Sequence, residues 1–435
     1  MRIDPTGKNI TVMGLGRFGG GVGVSRWLVG QGAKVTITDL LAESELADSL
    51  EQISDLVEAG SIKLRLGEHI ETDFTCCDLV IANPAVPKPW ENKFLQAATK
   101  ANIPITTEIR LLVEQLDRSH TIAITGTAGK STTSAMIHHI LSHCKLKSHF
   151  GGNIGGSLLN ELDNIKPNDW IILELSSAML YWLGEDVGYK GAAGWSPHIA
   201  ALTNIQENHL DWHGSFAHYQ QCKQNIFAYQ QSGDHAIKGD DLKPADELIK
   251  LSIPGAHNQS NAQLAVATIC AATDINKIDA INSLNSFTGL PHRLQLVASH
   301  NGQRFYNDSK STTPNSTVLA VESFDEPEKI HLIAGGYDKG SDLSPIAAIS
   351  TKIAGLYTVG STGKQLANNA NAPHREFCQT LENAVTCALK RMGQNDILLL
   401  SPGCASWDQF DNYQMRGEAF YKLINKHSYS LNLTN

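Results

Sequence analysis

The sequence predicts an α/β protein built on parallel sheets and divided into about three domains. Length is the first reason: 435 residues are enough for three ordinary cores at about 150 residues each. The second is a strand running into a glycine-rich turn, which occurs three times: KNITVMGLGRFGG (8–20), HTIAITGTAGKST (120–132) and HLIAGGYDKG (331–340). The third is the alternation of apolar strands with helical stretches around these turns, the pattern of parallel α/β units. No short-period repeat suggests a solenoid.

Composition excludes several classes. A hydrophobic fraction of 42% with 18% charged residues supports packed cores and argues against disorder. Lys plus Arg is 35 and Asp plus Glu is 44, a net charge of −9, so no broad nucleic-acid surface is expected, although a local phosphate pocket is still possible. There is no run of 18 apolar residues, and MRIDPTGKNITVMGLG lacks a signal-peptide pattern. No membrane association is therefore expected. The eight cysteines form no CxxC pair, as expected for free thiols in a reducing cytoplasm.

Taken in order, 1–110 should hold strands at 9–13, 34–38 and 78–82, the last followed by the Pro-rich turn NPAVPKP (83–89). The helix after the second glycine turn places Met136, Ile137, Ile140, Leu141 and Cys144 on one face, the spacing of a packed amphipathic helix. Strand WIILEL (170–175) follows. A polar stretch at 230–252 interrupts the pattern before a helix expected to open at Asn258, and FTGLPHR (287–293) reads as a linker. Beyond it, strands are expected near 303–307, 330–334, 355–359 and 397–401.

GLGRFG (14–19) fits G-x-G-x-x-G between a strand and a helix. Gly14 and Gly16 allow a tight turn that lets a diphosphate meet unpaired helix N–H groups. Asp39 lies 20 residues past Gly19, at a strand end where a ribose hydroxyl is often held. A nicotinamide cofactor, another nucleotide or nucleotide-sugar, and a purely structural turn all fit this signal. GTAGKST (126–132) is more specific. Backbone N–H groups can cradle phosphate oxygens, Lys130 supplies a cation, and Ser131 can ligate Mg²⁺. Ile124 stands where the longer phosphate-loop pattern has its first glycine, so this is a shortened variant. Glu174 ends an apolar strand, where a carboxylate can hold Mg²⁺. His209, in the polar turn NIQENHLDWHG, reads as a loop histidine, and Lys223, mid-helix, as a solvated lysine. Arg293, Asp308 and Lys310 put two cations and an acid just past the central segment.

These pieces, with GGNIG (151–155), LELSS (173–177), TNIQENHLD (203–211), HNQSN (257–261), NDSK (307–310) and LLSPGCASWDQFDNY (399–413), resemble the Mur ligases, and among them the glutamate-adding branch. The resemblance implies a Rossmann-like UDP-sugar-binding domain (1–112), a P-loop-type central ATPase domain (113–290) and a Rossmann-like amino-acid-binding domain (291–435). It reads the first glycine turn as a diphosphate site for a UDP-sugar. Gly126, Thr127, Ala128, Gly129, Lys130, Ser131 and Thr132 would hold the ATP phosphates. Ser131 and Glu174 would ligate one Mg²⁺, and His209 and Lys223 would serve a second, with Lys223 carbamylated. Asn258 and Asn261 would face the adenine. Arg293 and Asp308 would hold ATP, and Lys130, His209, Lys223 and Arg293 would form the catalytic set. Gly14, Gly16, Arg17, Phe18 and Asp39 would meet the uridine diphosphate, and Asn153 and Ser176 the sugar-peptide. Lys310, Thr312, Lys339, Ser406, Trp407 and Tyr413 would surround the amino acid. The implied substrates are UDP-N-acetylmuramoyl-L-alanine and D-glutamate, handled by a cytoplasmic monomer.

Several positions depart from that pattern. Ala128 replaces an Asn, Ala85 a Gly, and Asn208 an acid; Arg110 replaces a second acid, while Ala178 and Met179 follow LELSS where Phe-Gln is usual. Leu40 and Leu41 follow Asp39 where Thr and Arg are frequent. Three other readings stay open: the same chemistry with L-glutamate, another amino acid or another UDP-linked acceptor; a non-catalytic nucleotide-binding regulator; and, on GLGRFG alone, a nicotinamide oxidoreductase.

Overall fold

The computed structural model describes residues 4–17, 19–243 and 248–432, so Phe18 lies outside the described residues. The strands form three sheets. The first contains β1 (Asn9–Met13), β2 (Lys34–Asp39), β3 (Ile62–Leu66), β4 (Leu79–Ala82) and β5 (Ile105–Thr106). They lie in the order β3-β2-β1-β4-β5, all parallel. The second contains β6 (Thr121–Thr125), β7 (Ser148–Gly152), β8 (Trp170–Glu174), β9 (Ile199–Leu202) and β10 (His235–Lys238). Its order is β10-β9-β6-β8-β7, again all parallel. The third contains β11 (Gln295–His300), β12 (Gln303–Asn307), β13 (Ile330–Gly335), β14 (Gly355–Val359), β15 (His374–Gln379) and β16 (Ile397–Leu400). Here the order is β11-β12-β16-β13-β14-β15, with only the β11–β12 hairpin antiparallel.

The strand composition explains this topology. β6 and β8 read TIAIT and WIILE and are buried along their whole length, as strands covered on both faces must be. Parallel neighbours need crossover connections, and the helices Gly20–Gly30 and Lys130–His143 follow the two glycine turns directly. The helix expected to open at Asn258 begins two residues earlier, at Ala256. Met136, Ile137, Ile140 and Leu141 are buried on the helix they were placed on, while Cys144 caps its end.

Contacts divide the chain into two compact units, Met1–Asp246 with Ser260–Ser283, and Glu247–Gln259 with Leu284–Asn435. The first two sheets share the first unit. Ile10, Leu28, Ile109, Leu112, Leu158 and Ile171 belong to one continuous apolar cluster that spans both sheets. The third sheet, in the second unit, is packed by separate clusters on its two faces, one around Leu332 and Leu356, the other around Ile333 and Phe420. No helix among the described residues is long and apolar enough to cross a membrane, and all eight cysteines are free thiols.

Arg110 explains one departure noted in the sequence. It lies in the helix Glu108–Gln115 and is only 2% exposed. Its guanidinium donates to the carbonyls of Trp182 (2.8 Å), Gly184 (2.7 Å) and Ala193 (2.8 Å). An acid could not satisfy these acceptors, since a guanidinium offers a fixed fork of donors and a carboxylate offers none. Each buried carbonyl left without a partner costs about 1–3 kcal/mol. Arg110→Met should therefore destabilise the protein by about 3 kcal/mol or more in urea unfolding. A loss under about 1 kcal/mol would mean that water replaces the guanidinium at little cost.

Candidate active site

Parallel register brings the chemistry-bearing groups to one edge of the second sheet. Ile124 of β6 pairs with Glu174 of β8, and Thr125 pairs with Leu202 of β9. The three strands therefore end together, and the residues just past them meet at the sheet's carboxyl edge, where ligands bind in open α/β sheets. The phosphate loop Gly126–Gly129 leaves β6 there and enters the helix Lys130–His143. Two of its glycines are sterically required. Gly126 has φ 148°, and a Cβ on it would lie 1.8 Å from Thr203 Oγ1; Gly129 has φ 84°, and a Cβ on it would lie 2.3 Å from Asn261 Oδ1. Asn261 thus packs directly on the loop.

Residues 203–206 clamp the loop. Thr127 N–H donates to the Asn204 carbonyl (2.8 Å). The Asn204 side chain accepts from Ala128 N–H and donates to the Ala128 carbonyl, both at 3.1 Å. Tyr219 Oη meets Thr127 Oγ1 at 2.8 Å. The N–H groups of Thr127 and Ala128 are thus engaged within the chain, and the first turn of the following helix is the kind of place where backbone donors can meet a phosphate.

Two lysines converge on one carbonyl. Lys130 Nζ donates to the Gly126 carbonyl (2.9 Å) and the Thr127 carbonyl (3.0 Å). Lys223 Nζ, from the helix Phe216–Ala228, donates to the same Gly126 carbonyl (2.7 Å) and to Thr125 Oγ1 (3.4 Å). It also sits 4.8 Å above the Tyr219 ring. Far from being a solvated lysine, Lys223 is 2% exposed. Burial first, and then the neighbouring Lys130 cation, push its ammonium pKa down to about 7.

Glu174 is 1% exposed. Its Oε1 accepts from Asn153 Nδ2 (2.7 Å), while its Oε2 is buried without a hydrogen-bond partner among the described residues. A buried, half-satisfied carboxylate is costly unless a cation or donor completes it. Ser131 is buried in the first turn of the adjoining helix. A hard cation with oxygen ligands fits this donor set. His209 is exposed, holds a left-handed backbone (φ 52°) and keeps its ring 6.4 Å from that of Tyr219.

Other predicted contacts turn out to have partners within the chain. Asp39 Oδ2 accepts from Gly16 N–H (3.0 Å) and Oδ1 from Leu41 N–H (2.9 Å), so this carboxylate shapes the first glycine turn. Gly14 packs on Asn83, and Arg17 pairs with Glu45 at 2.7 Å. Ser176 caps the helix Ser177–Trp182 by accepting from Met179 N–H.

In the second unit, Asn258 donates to the Pro254 carbonyl (2.6 Å). Asp308 accepts from Leu294 N–H (3.1 Å) and Ser401 Oγ (2.7 Å), and burial raises its pKa to about 6. Arg293 adjoins this turn and its charge opposes that rise. Lys339 Nζ lies 4.1 Å from the centre of the Trp407 ring and Lys310 Nζ 5.8 Å from that of Tyr413. Thr312 and Lys339 line one small pocket. Ser406 is buried, and its carbonyl accepts from Gln409 and Phe410 N–H. Sequence reasoning missed Arg416. Its guanidinium is buried beneath these loops, donating to Ser309 Oγ, the Ser309 carbonyl and the Cys404 carbonyl. The only sequence signal was an arginine in the first turns of the last helix.

Comparison with known proteins agrees with this geometry. The Mur ligase middle domain matches residues 124–248, and the Mur ligase glutamate ligase domain matches residues 292–404. The chain is 32% identical over 467 residues to the UDP-N-acetylmuramoylalanine–D-glutamate ligase of Geobacter metallireducens, covering 97% of this chain and 98% of that one. It is 33% identical to the enzyme of the same name from Pelotomaculum thermopropionicum, covering 98% and 99%. Among solved structures, the UDP-N-acetylmuramate–alanine ligase of Thermotoga maritima matches with a TM-score of 0.53 at 18% identity, covering 97% of this chain and 100% of that one. The MurF ligase of Thermotoga maritima in complex with ADP matches with a TM-score of 0.52 at 13% identity, covering 98% and 100%. The two matched domains and the full-length similarity at more than 30% identity lead to one conclusion: this chain belongs to the Mur ligase family.

Proposed function

We propose that the protein is an ATP-dependent ligase that joins the amine of D-glutamate to the terminal alanine carboxylate of UDP-N-acetylmuramoyl-L-alanine, a step in making peptidoglycan precursors. The observation that carries this reading is the convergence of Lys130 and Lys223 on the Gly126 carbonyl at the edge of the sheet where Glu174 ends. It is joined by full-length similarity to relatives that bear that enzyme's name. The ADP in the MurF structure supports ATP as the nucleotide. The division into 1–112, 113–290 and 291–435, the cytoplasmic location and the monomeric state belong to the same proposal.

A carboxylate is a poor electrophile because its leaving group would be oxide. In this reading a carboxylate oxygen attacks the γ-phosphorus, the bond to ADP breaks, and an acyl phosphate results. The glutamate amine then attacks the acyl carbon, phosphate leaves, and the amine gives up a proton. Lys130 and the first-turn N–H groups orient the phosphates and stabilise the charge that develops on them. Ser131 and Glu174 would hold Mg²⁺, which supplies charge neutralisation at the phosphates. Arg293 is assigned to the phosphates with Asp308 as its neighbour, Asn258 and Asn261 to the adenine, and Lys339 to the amino acid's carboxylate. Lys310, Thr312, Ser406, Trp407 and Tyr413 are assigned to the rest of the amino acid. Gly14, Gly16, Arg17 and Phe18 are assigned to the uridine diphosphate. His209 is a candidate to take the amine proton. With its ammonium pKa lowered to about 7 by burial, Lys223 has a substantial share of the neutral amine, the form that adds CO₂ and releases a proton to give a carbamate, whose oxygens could serve a second Mg²⁺ beside His209.

Lys130→Ala should cut phosphate release with UDP-N-acetylmuramoyl-L-alanine and D-glutamate on the order of 10²-fold or more. Running both glutamate enantiomers and other amino acids in that assay identifies the acceptor. Release with D-glutamate alone is expected; ATP binding without release under every mixture would instead mark a non-catalytic regulator. For Lys223 the sign follows from linkage. Between about 7 and the unfolded value near 10.4, the unfolded lysine is protonated while the folded one is not. In CO₂-free buffer, wild-type stability relative to Lys223→Met should therefore rise with pH through that window. A difference that stays flat from about pH 6 to 10 would show that the amine is not held neutral.

A further inference from the structure

The helix Phe216–Ala228 carries a second set of donor groups that the ligase reading does not use. His218 and Cys222 lie one turn apart on it, and His213 ends the short helix Leu210–His213 just before it. The Nδ1 atoms of His213 and His218 are 3.1 Å apart. The Cys222 thiol lies 3.6 Å from His218 Nε2 and 3.9 Å from its Nδ1. All three residues offer donor atoms within 4.8 Å of one another. Tetrahedral bonds of about 2.0 Å to nitrogen and about 2.3 Å to sulfur set ligand atoms roughly 3.3–3.6 Å apart, so with Nδ1 as the ligating atom of His218 the separations of 3.1 Å to His213 and 3.9 Å to Cys222 lie within about 0.3 Å of a metal's spacing.

Its surroundings suit an ion as well. His213 Nε2 lies 2.9 Å from Ser177 Oγ. With Nε2–H donating to that hydroxyl, the Nδ1 lone pair faces His218 and Cys222, the outer-shell arrangement that fixes a ligating imidazole. The Trp212 ring packs on His213 at 4.4 Å between centroids, and the Trp90 ring on His218 at 4.7 Å. His213 and Cys222 are each 3% exposed, while His218 is half-buried and links the cluster to solvent.

We infer that His213, His218 and Cys222 bind one borderline-soft divalent cation of the zinc class, with water in the fourth tetrahedral position. Two imidazoles and a thiolate match Zn²⁺ and not Mg²⁺, which demands oxygen ligands. On binding, Cys222 Sγ releases its proton to solvent and forms the sulfur–metal bond; nothing is oxidised or reduced. The ion ties the helix bearing Lys223 to the turn before it and, through Ser177, to the helix Ser177–Trp182. The inference rests on this geometry alone and is independent of the ligase activity.

Cobalt(II) titrated into the full-length, metal-free protein tests it, read by the thiolate-to-cobalt charge-transfer band and the visible bands of tetrahedral cobalt. Saturation at one ion per chain, with bleaching by Zn²⁺, is the expected result. Cys222→Ala should abolish the charge-transfer band. Ser177→Ala should keep the bands but weaken affinity roughly 10- to 100-fold. His218→Gln, at a half-buried position, should lose tight binding and covers the case in which the cysteine variant does not fold. Bands that persist in Cys222→Ala would assign the metal to the other seven cysteines and overturn the site, as would undiminished affinity in His218→Gln or the absence of any band at one equivalent.

Discussion

Two ammonium groups donate to one backbone oxygen, the Gly126 carbonyl, and much of the site follows from that sharing. Two cations brought this close repel each other, the more so in a partly buried edge. The cheapest relief is for the more deeply buried amine to lose its proton, and Lys223 is the deeper one. Unequal burial, with the repulsion between the two cations, separates two chemically identical side chains that share one carbonyl. Lys130 is the less buried of the two, and Lys223 is the one whose ammonium pKa falls to about 7. The arrangement depends on a glycine at 126, because any side chain there would collide with Thr203.

A common device prepares the loops around all three sheets. Asp39, at the end of β2, accepts from Gly16 and Leu41 N–H. Asn204, just past β9, brackets the peptide of Ala128 from both sides. Asp308, just past β12, holds Leu294 and Ser401. In each case a short polar side chain at a strand's carboxyl end fixes a neighbouring loop. Backbone donors that face a phosphate cost least to use when they are already in place, so loop rigidity here is part of binding.

What could be read in the sequence was whatever is contiguous along it. Strand–glycine–helix units and GTAGKST carry their chemistry within a dozen residues, and register then placed Glu174 beside the loop. What depended on distant partners could not be read. Lys223 finds its acceptor 97 residues away, and its helical neighbourhood looks solvated; only the resemblance singled it out. Arg110 finds its carbonyls 72 to 83 residues away, so in sequence it looked like a lost acid when it is a staple. Asn153 and Ser176 were assigned to the sugar-peptide by the resemblance, and Asp39 to the nucleotide by its place at a strand end 20 residues past Gly19. In the fold each already meets a group of the chain itself: a carboxylate, a helix start and a glycine turn.

The helix Phe216–Ala228 shows how one element serves two constellations. Residues four apart share a helix face. Tyr219 and Lys223 form one face, turned to Thr127 and Gly126 of the phosphate loop. His218 and Cys222 form the next, turned to His213. Tyr219, Cys222, Lys223 and Ile226 are all buried, and close-packed interiors do not deform continuously. The helix therefore moves as a rigid body or not at all. A shift of the helix that carries the His218–Cys222 face would therefore also reach Lys223 and its contact with the Gly126 carbonyl.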